Sequence, residues 1–337
     1  MSRVVLGIAA CVGLLSVARA GAPPEAEVQG LYEGSCKDAK GVCKLEARVV
    51  DQGKGAYKVY LRQTLADGKI AKVVLDGAAA GDAVTFKGKA GEVEWTAAYA
   101  AGAITGACGE GCTLELKRVQ RKSPTLGKQP PQGAIALIDG KSFDAMIKRK
   151  NKDGTETPWE KPADDGSIPV AKGGMNSKQG FDGSLDLHVE FMCPLRADGR
   201  GQGRGNSGVY LPNGDEIQVL DSFGMETYLG GCCGGIYKYK DPDTMEVLPG
   251  APGKPEFKFN LASLPPLEWQ TYDIEYRVTQ KSGKVVGKPK VTIYQNGIKI
   301  HDNFEVKGNP KKGTFHFQDH GNPVRYRNIW VLPVEGQ

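Results

Sequence analysis

Period-two alternation is the sequence feature that most constrains the fold of this chain. In its second half, short runs of alternating apolar and polar residues are separated by turn residues, including Asn213-Gly214 and Asn296-Gly297. Alternation puts the apolar side chains of a strand on one face, and Asn-Gly pairs favour type I′ hairpins. We find no convincing helical periodicity. The pattern therefore predicts an all-β fold, with the second half forming a two-sheet jelly-roll sandwich. The predicted strands are Leu185–Met192, Ser207–Leu211, Glu216–Leu220, Thr271–Val278, Val291–Gln295, Lys299–Asp302, Thr314–Gln318 and Asn328–Leu332.

Shifts in composition divide the 337 residues into four parts. Residues 1–20 resemble a secretory signal peptide, residues 21–121 form short alternating runs rich in glycine, and residues 122–133 (KSPTLGKQPPQG) have the composition of a linker. Residues 134–337 hold all four histidines and most of the aromatic residues. We therefore predict a small N-terminal β domain without chemistry of its own, followed by a jelly-roll domain that carries the functional site.

The N-terminus predicts export. A basic Arg3, a short apolar run and the sequence Ala18-Arg19-Ala20 predict a signal peptide cleaved after Ala20, so the mature protein is expected to be secreted or periplasmic. An alternative is a lipoprotein anchored through Cys11. No other segment approaches the ~20 apolar residues of a membrane span. The net charge of +5 is not concentrated in basic runs, so we expect no nucleic-acid partner.

Seven of the eight cysteines remain after such a cleavage. In an oxidising compartment, the spacings Cys36 to Cys43 and Cys108 to Cys112 predict two local disulfides. Neither pair has zinc-binding spacing, and no histidine lies near them in the sequence. The other three cysteines are Cys193, Cys232 and Cys233. A bridge from Cys193 to one of the adjacent pair is the simplest expectation, and a strained bridge between the adjacent two is the alternative.

Three predicted strands carry unusual polar residues opposite their apolar faces. They bear His188 and Glu190, Glu216 and Gln218, and His316 and Gln318. These residues could be the solvated outer face that antiparallel sheets normally have. Lysine is absent among them, however, and planar amides, carboxylates and imidazoles are suited to binding sugar hydroxyls. We therefore predict that the three strands lie side by side as the floor of a carbohydrate site.

Two loops supply further candidates. A glycine-rich run brings Arg204 and Asn206 to a flexible rim, where a ligand could approach the backbone, although it could equally be an ordinary turn. The run Gln318-Asp319-His320 ends a strand on groups that titrate near neutrality or ligate a divalent metal ion. A metal cofactor is thus one alternative, and a metal-free site is the other.

These runs, in this order, resemble the 3-keto-disaccharide hydrolase domain family. The matching segments are Leu185–Phe191 (LDLHVEF), Gly203–Leu211 (GRGNSGVYL), Glu216–Gly224 (EIQVLDSFG), Trp269–Tyr276 (WQTYDIEY) and Phe317–Val331 (FQDHGNPVRYRNIWV). The resemblance implies the concanavalin-A-like jelly roll. Ser263 stands where relatives often have a cysteine, which leaves the partner of Cys233 open and makes Cys193 a substitute.

The resemblance also implies cleavage of a glycoside whose sugar is oxidised at carbon 3. The ketone acidifies the proton on carbon 2, so that a base can remove it, the aglycone leaves from carbon 1, and water then adds. Glu216, Glu190 and His320 are the candidates for proton transfer. Arg204, Arg325 or a metal ion could stabilise the enolate. The remaining polar residues, predicted to bind substrate, are His188, Asn206, Gln218, Asp221 and Gln318.

Two other functions compete. Laminarinase-like enzymes of this fold place two catalytic acids on one strand, and Glu216 and Asp221 have the required spacing if a β-bulge intervenes. A carbohydrate-binding or adhesion module would use the same polar face without catalysis. The Glu216 and Asp221 carboxyls lie on one face of the strand only if a β-bulge is present between them.

Overall fold

The computed structural model describes residues 25–39, 41–81, 83–148, 154–155, 159–248, 257–282 and 284–334. The predicted signal peptide and Cys11 lie outside these residues. Within them, no helix has the length and apolar character needed to cross a membrane. The helices described are the four-residue α1 (Glu25–Val28) and a single 3₁₀ turn, Gly201–Gly203.

The N-terminal strands form a closed, antiparallel up-and-down barrel in which the first strand pairs with the last. Its strands are β1 (Gly30–Asp38), β2 (Gly41–Gly53), β3 (Ala56–Thr64), β4 (Ile70–Ala80), β5 (Ala83–Ala90), β6 (Val93–Ala100), β7 (Ala103–Cys108) and β8 (Thr113–Val119). Alternation drives this closure, since β6 buries Trp95, Ala97 and Tyr99 in the interior and exposes the residues between them. Closure leaves no unpaired edge strand. At the closing seam, a Cβ on Gly34 would lie 2.0 Å from the Glu115 carbonyl oxygen, so only glycine fits there.

The second half is a sandwich of a five-stranded and a seven-stranded sheet. The five-stranded sheet has the order β10 (Met146–Lys148), β12 (Met175–Ser177), β21 (His316–Phe317), β14 (Ser207–Tyr210), β15 (Glu216–Val219). The seven-stranded sheet has the order β11 (Ile168–Pro169), β22 (Arg325–Val334), β13 (Ser184–Met192), β18 (Gln270–Lys281), β19 (Lys284–Gln295), β20 (Ile298–Glu305), and β9 (Ile135–Ile138) also pairs with β22. A separate hairpin joins β16 (Met245–Leu248) to β17 (Phe257–Asn260).

The predicted all-β jelly roll is therefore confirmed, with specific differences. Asn296 and Gly297 both have positive φ, as a type I′ turn requires. At the predicted Asn213-Gly214 turn, only Gly214 has a positive φ. There the Leu211 amide bonds to the Asp215 carbonyl across a longer loop. The I′ prediction is wrong there because the turn is centred on Pro212 and Asn213, with the Gly214 amide bonded to the Leu211 carbonyl, and the proline ring fixes a negative φ.

An apolar cluster joins the barrel to the sandwich. Leu31, Val50 and Tyr60 of the barrel pack with Phe223 of the sandwich and Phe259 of the β16–β17 hairpin, and all five are buried. At the same junction, Arg48 is buried over the Phe223 ring, and its Nη1 donates to the Ser263 carbonyl at 3.0 Å. The interface thus has an apolar core with a hydrogen-bonded cation at its edge.

One of the two predicted local disulfides is present, between Cys108 and Cys112. Cys36 and Cys43 lie directly opposite each other on β1 and β2 but are thiols, so that prediction is not met in this structure. The remaining three cysteines are also buried thiols, which leaves the predicted bridge to Cys193 unformed. The Cys233 sulfur instead lies 3.1 Å from the Tyr272 hydroxyl.

Candidate active site

Four polar side chains form a row across the outer face of the five-stranded sheet. The strand register pairs Asn176 with His316, His316 with Tyr210, and Tyr210 with Glu216. The residues next to them along each strand, such as Val209, Ile217 and Phe317, point the other way into the sandwich core. We call these four residues the Glu216 row.

Local sequence accounts for the position of Glu216 at one end of the row. Val209 on β14 and Ile217 on β15 point into the core. Because side chains alternate between the two faces of a strand, the neighbouring Glu216 points outward. Gly208 leaves room for the carboxyl, because a Cβ there would lie 2.2 Å from Glu216 Oε1. The glycine of the rim sequence thus makes space for the site's carboxyl group.

Burial gives Glu216 the chemistry of a base. Its side chain is only 7% exposed, and this burial raises its pKa above the ordinary range of a glutamate. The Tyr210 hydroxyl, by hydrogen bonding, and the nearby Lys238 cation both act in the opposite direction. A carboxylate with a raised pKa holds a transferred proton more strongly, as a general base requires.

The other end of the row orients an imidazole. The Nδ1 atom of His316 lies 2.5 Å from Asn176 Oδ1, so the amide oxygen holds the proton on Nδ1 and directs Nε2 elsewhere. The Tyr210 and His316 rings have centroids 5.2 Å apart. Base, hydroxyl and imidazole therefore occupy consecutive strands.

A second row of amides lies beside the first. Gln318 and Gln218 flank Gly208, and Gln218 Nε2 donates to Gln202 Oε1 at 2.7 Å, as does Asn206 Nδ2 at 3.0 Å. The side-chain amide oxygens of Gln218 and Asn206 are buried without a hydrogen-bond partner. Buried acceptors of this kind are normally satisfied, so these two amide oxygens lack a donor that a hydroxyl group could supply if it reached them.

The predicted juxtaposition of the three polar strands is wrong for His188 and Glu190. Their strand, β13, belongs to the seven-stranded sheet, where Leu187 and Val189 face the core. Both polar residues therefore lie on the opposite outer face of the sandwich from Glu216. Sequence alternation is the same in both strands and does not reveal which sheet a strand joins.

On that opposite face, His188 and Glu190 have partners beneath the linker. His188 Nδ1 lies 2.9 Å from Asp273 Oδ1, and Glu190 accepts hydrogen bonds from Arg327 Nε at 2.7 Å and from the Gly127 amide at 2.5 Å. This pairing holds the pKa of Glu190 down at about 2 despite its burial. We call His188, Glu190, Asp273 and Arg327 the linker network.

The predicted flexible rim is also wrong. Arg204 is fully buried, its Nε donates to Asp221 Oδ2 at 2.8 Å, and its Nη1 donates to the Ala197 carbonyl. The β14–β15 pairing is regular up to Val219, and Asp221 lies beyond the end of that strand, paired with Arg204. The arginine ties this loop together and reaches Gln29 at the barrel, at 3.3 Å. The glycines of this loop permit the tight packing, whereas the sequence alone predicts a flexible loop.

Two further predicted residues lie away from the row. Arg325 donates to Ser167 Oγ at 2.8 Å and to its carbonyl at 2.9 Å, at the edge of the seven-stranded sheet. His320 is exposed in the loop after β21. The carboxyl oxygens of neighbouring Asp319 accept from the Gly173 and Gly321 amides. Among the described residues, the site brings no three metal-ligating atoms together, so we derive no step through a metal ion.

Sequence reasoning missed one member of the row and undervalued two. Asn176 lies on a three-residue strand whose sequence, MNS, carries no alternation signal. His316 and Tyr210 fit the pattern, but sequence alone places them equally well in a solvated face or a core. The signal that identifies them is the strand register, which is non-local.

Large cavities lie elsewhere, beside the linker. One of about 390 Å³ is lined by Glu190, Arg327 and Trp330, and another of about 440 Å³ by Asp273, Tyr294 and Trp330. The acids Glu190 and Asp273 of these cavities are paired with Arg327 and His188, whereas the Glu216 row has a carboxyl of raised pKa and unsatisfied acceptors beside it. The Glu216 row is therefore the candidate active site.

The outer face of this jelly-roll sandwich carries carboxyl, imidazole and amide groups in one row, and the family comparison identifies the class as a glycoside-acting domain. The family described as the 3-keto-alpha-glucoside-1,2-lyase-like domain matches residues 133–332, which is more than half of the chain. The chain belongs to this family.

The comparison with solved structures includes a candidate glycosyl hydrolase from Parabacteroides distasonis. It is 31% identical, and the match covers 60% of this chain and 85% of that chain with a TM-score of 0.45. At that TM-score the superposition carries no structural argument. No protein of curated function matches this chain.

Proposed function

We propose that the Glu216 row cleaves 3-keto-glycosides by elimination followed by hydration. The observation that carries this proposal is the raised pKa of Glu216 within a row that also contains a hydroxyl and an imidazole. Elimination next to a ketone requires one base and hydrogen-bond donors for the enolate, and it needs no second carboxylate. This matches a site with a single acid.

Each group has a role in the proposed reaction. Glu216 removes the proton from carbon 2, and the electron pair moves onto the ketone oxygen. Once Glu216 is protonated, the Tyr210 hydroxyl transfers its hydrogen bond from that carboxyl to the enolate oxygen. The electrons then return to expel the aglycone from carbon 1, while the His316 imidazolium, whose Nδ1–H is held by Asn176, gives its Nε2 proton to the leaving oxygen. Water then adds across the double bond: its hydroxyl bonds to carbon 1, its other proton returns to His316, and Glu216 gives a proton back to carbon 2, which regenerates the 3-keto-sugar. The unsatisfied oxygens of Asn206 and Gln218 bind sugar hydroxyls.

Glu216 is favoured over the two other proton-transfer candidates. Glu190 is committed to Arg327 and Asn328 on the opposite face, and its lowered pKa makes it a weak base. His320 lies outside the row in an exposed loop. Direct hydrolysis in the laminarinase manner lacks its second carboxyl, since Asp221 is paired with Arg204.

We also propose that the protein works after export. The support is the sequence of residues 1–20 alone, which predicts a cleaved signal peptide. The mature N-terminus and the location of the protein in fractionated cells test this part separately.

The deciding experiment offers the protein a 3-keto-glucoside and, separately, its unoxidised parent in D₂O. We expect only the keto-sugar to be cleaved and deuterium to enter at carbon 2, with unchanged rates when a chelator is present. Cleavage of the parent alone would support direct hydrolysis. Binding of either sugar without cleavage of any would assign the row to a carbohydrate-binding module and overturn the proposal.

A further inference from the structure

Four cysteines gather at one end of the barrel, far from the chemistry assigned above. Cys36 on β1 lies opposite Cys43 on β2, while Cys108 ends β7 and Cys112 immediately precedes β8. Because β1 closes the barrel against β8, the two hairpins meet there. The proximity of these cysteines results from barrel closure and is not evident from their sequence spacing.

The sulfur atoms are close enough for reaction. Those of Cys36, Cys108 and Cys112 all lie within 4.8 Å of one another, although only Cys108 and Cys112 are bonded. The side-chain amide of Gln63 joins the fourth sulfur to this group, with Nε2 donating to Cys43 Sγ at 3.0 Å and to Cys36 Sγ at 3.3 Å. Two thiols and a disulfide thus lie in a continuous series, in the order Cys43, Cys36, Cys108 and Cys112.

We propose that these four cysteines form one thiol–disulfide exchange site, in which a single disulfide moves between the β7–β8 hairpin and the β1–β2 hairpin. The Cys36 thiolate bonds to Cys108 Sγ, the Cys108–Cys112 bond breaks, and Cys112 leaves as a thiolate that takes up the proton lost by Cys36. Cys43 then displaces Cys108 in the same way and closes Cys36–Cys43. No net oxidation occurs, so the exchange needs no external oxidant.

The solvent exposure of the four cysteines indicates the order in which the disulfide exchange proceeds. Cys36 and Cys108 are buried, whereas Cys43 and Cys112 at the two ends are half-exposed. The half-exposed Cys112 is the better leaving group because water solvates its thiolate. Its exposure, and that of Cys43, also lets a small thiol or disulfide in solution enter the exchange. Attack by buried Cys36 is intramolecular and needs no solvent access.

The test uses the full chain brought to one disulfide per molecule, as counted by thiol titration in denaturant. Samples are held without oxygen between pH 7 and pH 10, quenched with acid, alkylated and mapped by mass spectrometry. We expect a cross-hairpin peptide that joins Cys36 to Cys108. Burial raises the pKa of the Cys36 thiol to about 11. The Cys36 thiolate fraction, and with it the rate at which the Cys36–Cys108 peptide forms, should therefore rise roughly tenfold per pH unit.

Variants separate the steps. Cys43→Ser should retain the cross-hairpin disulfide but lose Cys36–Cys43, and Cys36→Ser should retain Cys108–Cys112 alone. Cys193→Ser, in the sandwich core, is the matched control and should change nothing. Finding only Cys108–Cys112 in the wild-type protein at every pH overturns the proposal. Cross-hairpin peptides that appear only together with bridges to Cys193 also overturn it, because they report an unfolded chain.

Discussion

The two outer faces of the sandwich carry the same kinds of polar residue but use them differently. On the seven-stranded face, His188 and Glu190 are covered by the linker and bonded to Asp273 and Arg327. On the five-stranded face, no cation among the described residues is bonded to Glu216, and burial raises its pKa. The pKa of Glu190 is lowered and that of Glu216 is raised because pairing dominates on one face and desolvation on the other. The partners of a carboxyl, more than its residue type, separate a structural role from a catalytic one.

Glu216→Gln is expected to give the largest effect on activity. Without the base, kcat/KM for a 3-keto-glucoside should fall about 10³-fold, which corresponds to ~4 kcal/mol of transition-state stabilisation. The free energy of unfolding should stay within about 1 kcal/mol, because a neutral amide suits a desolvated position. Steady-state kinetics and denaturant unfolding measure the two quantities. Glu190→Gln is the matched control, and an equal loss of activity there would contradict the contrast between the faces.

Glu190→Ala should show the reverse behaviour. Removing this buried carboxylate leaves Arg327 Nε without its acceptor and His188 with Asp273 as its remaining acidic neighbour, so unfolding should become easier by about 3 kcal/mol. Activity per folded molecule should stay within a factor of about three, since the row lies on the other face. Urea denaturation at pH 7, with kinetics on the folded fraction, gives both numbers. A stable but inactive variant would place Glu190 in catalysis.

The pH dependence of stability separates the two carboxyls. The pKa of Glu190 falls from 4.5 to about 2 on folding, so it stabilises the protein above pH 4.5 and loses ~3 kcal/mol of that contribution as the pH falls to 2. Glu216 has a raised pKa and acts in the opposite direction, favouring the folded state as the pH falls through its folded value. Plotted against pH, the free energy of unfolding should change less steeply in Glu190→Gln than in the wild-type protein, and more steeply in Glu216→Gln. Identical slopes in the two variants would refute the assigned shifts.

Tyr210→Phe should weaken catalysis less than loss of the base does. The hydroxyl lowers the pKa of Glu216, so its removal should move the acidic limb of the pH–kcat/KM profile to higher pH. Loss of one enolate donor should reduce kcat about tenfold, or ~1.4 kcal/mol. The distant Tyr294→Phe, beside the linker, is the control. A lower kcat with an unshifted profile would mean that Tyr210 does not contact Glu216 in the working enzyme.

The sequence predicts the sandwich well because alternation is a local property. It identifies β13, β15 and the core-facing residues such as Leu187 and Ile217, which decide the fold class. It does not predict that β13 pairs with β18 and β22 while β15 pairs with β14, since pairing depends on contacts between distant segments. Glu216 and Gln218 were therefore identifiable as outward-facing residues, whereas Asn176 and the separation from His188 required the structure.

Lys128→Ala should have the smallest effect, and it tests how the linker covers its face. The Lys128 ammonium lies 3.4 Å from Asp273 Oδ1, but its side chain is 47% exposed, so the pair should contribute less than about 0.5 kcal/mol. The backbone does more, because the Lys128 carbonyl accepts from Asn328 and Trp330. Thr125→Val, which removes a 2.6 Å hydrogen bond to Asp273, should cost about 1 kcal/mol by the same unfolding measurement. A larger loss in Lys128→Ala than in Thr125→Val would show that surface charge, rather than buried hydrogen bonding, holds the linker on the network.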